Sequence, residues 1–557
     1  METRSEIFRR VTAPTQPYEL RSLDHPGPER RIFVNAPANL GEVFASASSN
    51  ETFFVHGHER YTFEGAWDNA RRLARALSEE YGVNRGDRVA LAARNVPEWI
   101  FGYMAATSIG AIPVALNSMW QHDELDYALR DSTPKVLISD SERLELAGLT
   151  TADLSMHTIT VRSSGELTRE YSDLVSRTAP LVDLPSVDSD DIACLFYTSG
   201  STGNPKGVPL THRNIITALM AWELDAIVHH ELTASSSSTS DQKVGLLLSV
   251  PLFHVTGSLG VALVAFRSQG KVVSMHKWDP AVAIELIQRE NLTNVVAPAA
   301  ITGDLVREAA RINVALPTLV GVGGGGAARD STQVQEIASI FPSALPRQGW
   351  GMTETSGNGT LIYGDEYLRR PTSSGWPTAP TNLRIVDADM RDVPTNTAGE
   401  LLVSGTTVFS GYWNKPEADA ESFVNGWFRT GDIAYVDEDG FLFIVDRVKD
   451  LIIRGGENIG CGTVETALMA HHAVIEACAY AIPDDRLGED VAATVCVSSP
   501  VTEDILREFV RPFLARFAVP RRIEILTQPL ERTASGKILR REIRRRAIIA
   551  FGLSDQH

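Results

Sequence analysis

The residues with the most chemistry in them are Tyr197-Thr198-Ser199-Gly200-Ser201-Thr202-Gly203-Asn204-Pro205-Lys206-Gly207. Five hydroxyl side chains, three glycines and one lysine follow the apolar stretch Ile192 to Phe196, which reads as a strand. Glycine has no Cβ, so backbone N–H groups can close on an anion, and Lys206 adds a cation. That is chemistry for polyphosphate. The run is not a Walker A loop, because Pro205 stands where that pattern needs glycine. Lysine is scarce elsewhere: only Lys135, Lys206, Lys243, Lys271, Lys277, Lys415, Lys449 and Lys537 occur, and the other basic residues are arginine. Where a lysine is used, a compact and mobile ammonium is what such a site calls for.

A second glycine run, Gly321-Val322-Gly323-Gly324-Gly325-Gly326, fits G-x-G-x-x-G. A dinucleotide site also wants an acid about 20 residues on. Pro342-Ser343-Ala344-Leu345-Pro346-Arg347 offers none. NAD-dependent oxidoreduction is therefore the weaker reading of this run.

These elements sit in a chain of 557 residues, too long for one hydrophobic core. Helical periodicity over Phe63 to Tyr81, a strand at Arg88 to Ala92, a helix from Glu98 and a strand at Val136 to Ser139 alternate as in a parallel α/β sheet. A helix is expected from near Asn214. After about Pro380 the pattern turns to strands, at Leu383 to Val386, Gly399 to Ser404 and Phe441 to Val445, with a turn at Asp437-Glu438-Asp439-Gly440. A compact final segment follows, with helices expected at Gly462 to Ala470 and Thr502 to Phe517. Gly245 to Phe266 carries no formal charge and could span a bilayer, but Pro251, His254, Gly257 and Gly260 favour a buried strand, a loop and a buried helix start. The basic run Arg540, Arg541, Arg544, Arg545, Arg546 reads as a solvated helix face.

A net charge of −18 makes nucleic acid and anionic lipid poor partners. Cys194, Cys461, Cys478 and Cys496 show no paired spacing, and no signal segment opens the chain, so a reducing cytoplasm is the expected location.

The phosphate-loop candidate, Thr198 to Gly207, resembles that of the acyl-adenylate-forming superfamily: acyl-CoA synthetases, peptide-synthetase adenylation domains and firefly-type luciferases. Further motifs follow in that family's order. Pro251-Leu252-Phe253-His254 resembles the acyl-site motif. Gly349-Trp350-Gly351-Met352-Thr353-Glu354-Thr355 resembles the nucleotide and magnesium motif, and Thr430-Gly431-Asp432 the ribose motif. Asp446-Arg447-Val448-Lys449-Asp450 resembles the hinge, followed by Arg454-Gly455-Gly456-Glu457-Asn458. Arg532-Thr533-Ala534-Ser535-Gly536-Lys537 resembles the C-terminal lysine motif.

The resemblance implies an α/β fold. Residues 1–448 would form a large domain of two α/β subdomains plus a β-rich subdomain, and 449–557 a small mobile α+β domain carrying the catalytic lysine. It implies ATP, Mg²⁺ and coenzyme A as cofactors, and a carboxylic acid as substrate. Thr198, Ser199, Gly200, Ser201, Thr202, Gly203 and Lys206 would hold the phosphates, and Glu354 with Thr202 the metal, as Mg²⁺ binds through few protein oxygens plus phosphates. Asp432 and Arg447 would hold the ribose. Gly324, Gly325, Gly326 and Ala327 would form the adenine and acyl wall, their missing side chains making room for a bulky hydrophobic acid. His254 would sit by the reacting carboxylate. Lys537 would stabilise the pentavalent transition state. Lys449 would be the pivot of domain rotation, after which Gly455, Gly456 and Glu457 would line the channel for the pantetheine arm. Two departures stand out. Gly460-Cys461-Gly462 replaces a common proline and would loosen the next helix, and Glu531 leads the lysine motif. The alternatives are an acyl-AMP ligase that loads a carrier-protein thiol and a luciferase-like oxidoreductase. A homodimer is compatible with the sequence.

Overall fold

The structure is a computed structural model that describes residues 2–162, 170–198, 204–233, 243–326, 329, 331–447, 450–454, 457–484, 486–533 and 536–553. It is an α/β protein with a large N-terminal part and a small C-terminal part.

Short, largely buried strands build the first sheet. Arg88–Ala92, Ile112–Ala115, Val136–Ser139 and His157–Thr160 pair in parallel, which requires helices on both faces. One of these helices, Phe63–Glu79, starts where the Thr62 hydroxyl accepts the Gly65 N–H at 2.9 Å. It buries Phe63, Ala66, Trp67, Ala70, Leu73, Ala74 and Leu77 as one stripe. At the sheet's edge Ile192–Thr198 and Lys206–Thr211 form an antiparallel hairpin, with Lys206 opposite Thr198. The phosphate-loop candidate thus begins at the end of one of these strands and ends at the start of the other. The helix expected near Asn214 follows directly as His212–Thr233.

The second sheet has nine strands. Its parallel centre runs through Leu345–Gly351, Gly321–Gly324, Asn294–Val296, Gly245–Leu248, Lys271–Ser274 and Thr52–His56. The apolar segment after Gly245 forms a buried strand, a loop and then a π-helix, Thr256–Leu263. Gly257 is required there, because a Cβ would come within 2.2 Å of the Pro251 carbonyl. Among the described residues no helix is long and apolar enough to cross a membrane. All four cysteines are free and buried.

The β-rich portion pairs Thr381–Val386, Gly399–Gly405, Trp427–Val436 and Leu442–Arg447 in antiparallel order. Its predicted turn holds: Gly440 takes φ +85°, and Asp437 Oδ1 accepts the N–H groups of Asp439 and Phe441. A continuous core extends from Ile7 to Leu442, and a separate one begins at Ile452. The second core lies under a sheet of Glu457–Gly460, Leu451–Arg454, Gly488–Val497, Val474–Asp484 and Arg522–Leu526.

Three local expectations change. The helix expected over Thr502 to Phe517 ends at Val510, because Pro512 removes the donor the next turn needs. The helix after Gly460 is not loosened: Cys461–Met469 is fastened by Asp446, whose Oδ2 accepts the Gly462 N–H at 3.0 Å. The basic C-terminal helix Arg540–Ala550 is only partly a solvated face. Arg540 turns inward to Asp450 and Glu465, and Arg544 Nε donates to the Ala481 carbonyl.

Candidate active site

The motif residues converge where the strands of the second sheet reach their C-terminal ends, the usual binding edge of a parallel sheet. Strand Leu345–Gly351 delivers Trp350, and the tight turn Thr353–Thr355 follows it. That turn buries Glu354, which is 7% exposed. Tyr412 donates its hydroxyl to Glu354 Oε1 at 3.0 Å, and Phe409 donates its backbone N–H to the Glu354 carbonyl. Burial raises the Glu354 carboxyl above its ordinary pKa, while Tyr412 and the charges of Arg447 and Lys537 pull it back.

Asp432 lies in strand Trp427–Val436 and is 2% exposed. Trp350 Nε1 donates to its Oδ2 at 2.8 Å, and Arg447 Nε lies 2.8 Å from its Oδ1. Strand pairing dictates that contact, since Asp432 and Arg447 are register partners. Each carboxylate oxygen keeps a further lone pair for a ribose hydroxyl. Burial raises the Asp432 carboxyl, opposed by Arg447 and Lys537.

Lys537 reaches this cleft from the C-terminal part. Its loop is fixed locally. Gly536 takes φ +83°, Thr533 N–H donates to the Lys537 carbonyl at 2.7 Å, and Arg532 Nη1 donates to the Gly536 carbonyl at 2.7 Å. Arg532 is itself held by Glu476 at 2.8 Å. Lys537 keeps solvent access along the cleft, yet protein surrounds it. That crowding, with Arg447 beside it, lowers its ammonium pKa, and the carboxylates of Glu354 and Asp432 oppose the shift. Two cations and two carboxylates therefore face one another across the cleft. His254 closes the same corner. Burial, aided by the Lys537 charge, pushes its imidazole down to about 4, so it is neutral near pH 7.

Lys206 stands at the base of the hairpin turn with its Nζ 4.9 Å from the centre of the Tyr412 ring. Sequence reasoning missed Tyr412. The signal was there in Gly411-Tyr412-Trp413-Asn414, two aromatics between turn residues. Trp413 N–H donates to the Gly207 carbonyl at 2.8 Å, and Tyr412 N–H to Asp419 Oδ1 at 2.7 Å. This segment thus ties the hairpin to Glu354. Replacing Tyr412 with phenylalanine is expected to lower adenylation about tenfold, mainly through a higher KM for Mg·ATP, read by pyrophosphate release.

The glycine wall needs correction. A Cβ at Gly324 would lie 2.5 Å from the Ala297 carbonyl, and one at Gly325 2.6 Å from the Gly349 carbonyl. Their missing side chains admit neighbouring backbone, not a bulky ligand. Gly326 alone of the three, at φ +87°, faces open space. Gly349 and Gly351 are likewise packed against backbone, Gly349 by the Thr360 carbonyl and Gly351 by that of Gly357. Met352 and Thr353 lead into Glu354, and Glu457 is paired in register with Arg454. Ser199, Gly200, Ser201, Thr202, Gly203, Ala327, Lys449, Gly455 and Gly456 lie outside the described residues.

Glu354 suits Mg²⁺ delivered with phosphates, since it offers one buried carboxylate. Among the described residues no group of three His, Cys, Asp or Glu could hold a metal by itself.

The site's order in the chain matches known proteins. The family model for AMP-binding enzymes matches residues 42–413, and that for their C-terminal domain residues 463–537. The chain is similar to a feruloyl-CoA synthase of an Amycolatopsis species, 35% identical over 90% of this chain and 97% of that protein. It is 30% identical to the long-chain-fatty-acid–CoA ligase FadD13 of Mycobacterium tuberculosis, over 85% of this chain and 91% of that one. The o-succinylbenzoate CoA synthetase of Bacillus subtilis, solved with its acyl-adenylate intermediate, superposes with a TM-score of 0.78 at 26% identity, over 91% of this chain and 98% of that one. The same enzyme has been solved with ATP and magnesium ion. The chain belongs to the AMP-binding enzyme family, the acyl-adenylate-forming superfamily.

Proposed function

We propose that this AMP-forming acyl-CoA synthetase activates its carboxylic acid through the roles that follow. The substrate carboxylate attacks the α-phosphorus of Mg·ATP. A carboxylate O–P bond forms, the bond to the β-phosphate oxygen breaks, and pyrophosphate leaves. Mg²⁺, held by Glu354 and the phosphates, screens the charge on the departing pyrophosphate. Lys206 and the hairpin turn hold the β- and γ-phosphates, Asp432 and Arg447 the ribose. Lys537 supplies positive charge as the five-coordinate phosphorus forms. Neutral His254 packs beside the reacting carboxylate without adding a competing cation. The CoA thiolate then attacks the acyl carbon and AMP departs. The observation that carries this reading is the convergence of Lys537, from beyond the second core, on Glu354 and Asp432.

The boundary between the domains falls at 448/449, the small domain rotates about Lys449, and Gly455 and Gly456 enter the site after rotation. A cleft of about 1030 Å³ in the C-terminal part supports CoA as acceptor. Seven arginines line it against two aspartates, Asp484 and Asp490. In a chain of net charge −18, so local an excess of guanidinium suits the CoA phosphates. Arg486 and Arg522 are exposed there, and no salt bridge engages them among the described residues. Changing both to serine is expected to raise the KM for CoA about tenfold while pyrophosphate release in its absence stays constant. The enzyme is proposed to work in the cytoplasm, and a homodimer fits the reading.

The test is carboxylate-dependent pyrophosphate release across a panel of aromatic, alicyclic and fatty acids, with and without CoA. AMP and acyl-CoA in equal amounts support the assignment. Adenylate that accumulates unchanged when CoA is added would point to a carrier-protein thiol. Light emission with O₂, or a spectral change with NAD, would return the oxidoreductase reading.

A further inference from the structure

Helix His212–Thr233 runs past the corner that His254 occupies, since its Trp222 lies near Val255. Trp222, Asp225 and His229, spaced three and four apart, form a single stripe on that helix. Trp222 lies at that corner: a Cβ at Gly357 would touch both its indole and Val255, the neighbour of His254. His229 lies two turns further on, about 10 Å along the axis. Its ring stacks on Tyr363 at 4.8 Å.

Tyr363 is the register partner of Arg347. The Arg347 guanidinium sits 6.0 Å from the Tyr363 ring centre, passes over Gly321 and hydrogen-bonds Asn294 Oδ1. Gly321 makes that path possible, since a Cβ would lie 1.3 Å from Arg347 Nη2. Unlike Arg143, a buried guanidinium paired with Asp140 and Glu142, Arg347 has no carboxylate within salt-bridge distance among the described residues. Its Nε is buried without a hydrogen-bond partner. Asp225 Oδ2 nearby is also buried and unpartnered, and burial pushes that carboxyl up to about 7, so it can donate a proton as well as accept one. Unmatched polar groups in an interior are costly unless something completes them.

Helix Arg4–Val11, which precedes the family match, lies across helix His212–Thr233. Arg4 pairs with Glu366 at 2.5 Å, Tyr18 donates to Glu223 at 3.1 Å, and Ile7 is buried. The Arg4 charge is felt by Asp225, His229 and Tyr363.

Resting on the ligase assignment above, we propose that the acyl site extends along this helix face to Arg347, and that the acid substrate carries an oxygen acceptor, remote from its reacting carboxyl, received by the Arg347 guanidinium. The substrate class is a compact acid with a distal hydroxyl or carboxylate, and a long unbranched alkyl acid does not fit.

The experiment measures kcat/KM for pyrophosphate release with 3-phenylpropenoic acid, its 4-hydroxy and 4-carboxy derivatives, and hexadecanoic acid. At least one 4-substituted acid should exceed the plain acid by about 30-fold or more, with hexadecanoic acid slowest. Whichever derivative leads identifies the oxygen as phenolic or carboxylate. In Arg347→Met the ratio of substituted to plain acid should fall below about threefold, whereas Arg347→Lys should retain part of it for the carboxylate. A wild-type ratio near one, preference for hexadecanoic acid, or a ratio that survives in Arg347→Met would overturn the proposal and leave adenylation standing. Silence with every acid of the broader panel would remove both.

Discussion

Lys537→Ala is expected to slow acyl-adenylate formation by about 10²- to 10³-fold, equal to about 3–4 kcal/mol of transition-state stabilisation. Thioester formation from preformed acyl-adenylate should stay within about threefold of the native enzyme. The asymmetry follows from where charge appears. In the first step a phosphorus centre gains an oxygen before it loses one, and the Lys537 ammonium is aimed into the cleft where that happens, between Glu354 and Asp432. In the second step the charge develops on an acyl oxygen and the leaving phosphate, after the proposed rotation would have withdrawn Lys537. Rapid-quench assays of the two half-reactions, the second started with synthetic adenylate, measure the split. Equal losses in both steps would contradict the assigned role.

Lys449→Pro should reverse that pattern. Proline fixes φ near −65°, so a pivot that must adopt two backbone conformations is confined to those compatible with one φ. Adenylation is expected to persist within about fivefold, and thioester formation to fall by at least about 100-fold, since CoA reaches the adenylate only after rotation. The junction lies between strand Leu442–Arg447, paired into the large part, and strand Leu451–Arg454, which opens the small one. Normal CoA ligation by this variant would refute the pivot.

The chemistry was more legible than its supports. Hydroxyl, glycine and lysine at Thr198 to Lys206 suggest phosphate binding from the sequence alone, because that chemistry needs those types close together. Parallel strands such as Arg88–Ala92 and Val136–Ser139 could be read because a strand buried on both faces is apolar throughout. Tyr412 could not be read so easily, because its role arises from contacts with Glu354 and Lys206, far away in sequence. The glycine run misled in an instructive way. Absence of a side chain signals a close approach without saying by what, and at Gly321, Gly324 and Gly325 the approaching group is protein: Arg347 and neighbouring backbone. Pro512 is a stop signal within the span expected to be helical, and the helix ends before it. Asp446 as a cap for Cys461–Met469 arises from tertiary contact and has no local signature.

Asp446 and Arg447 are successive residues at the end of one strand, and their side chains leave it in opposite directions. One fastens the first turn of a small-domain helix; the other braces the acid that meets the ribose. A tug on either is transmitted through a single peptide plane. On the proposed roles, nucleotide occupancy and the attitude of the C-terminal part are coupled through this pair, and by reciprocity a clamp on that attitude is expected to alter how tightly AMP is retained.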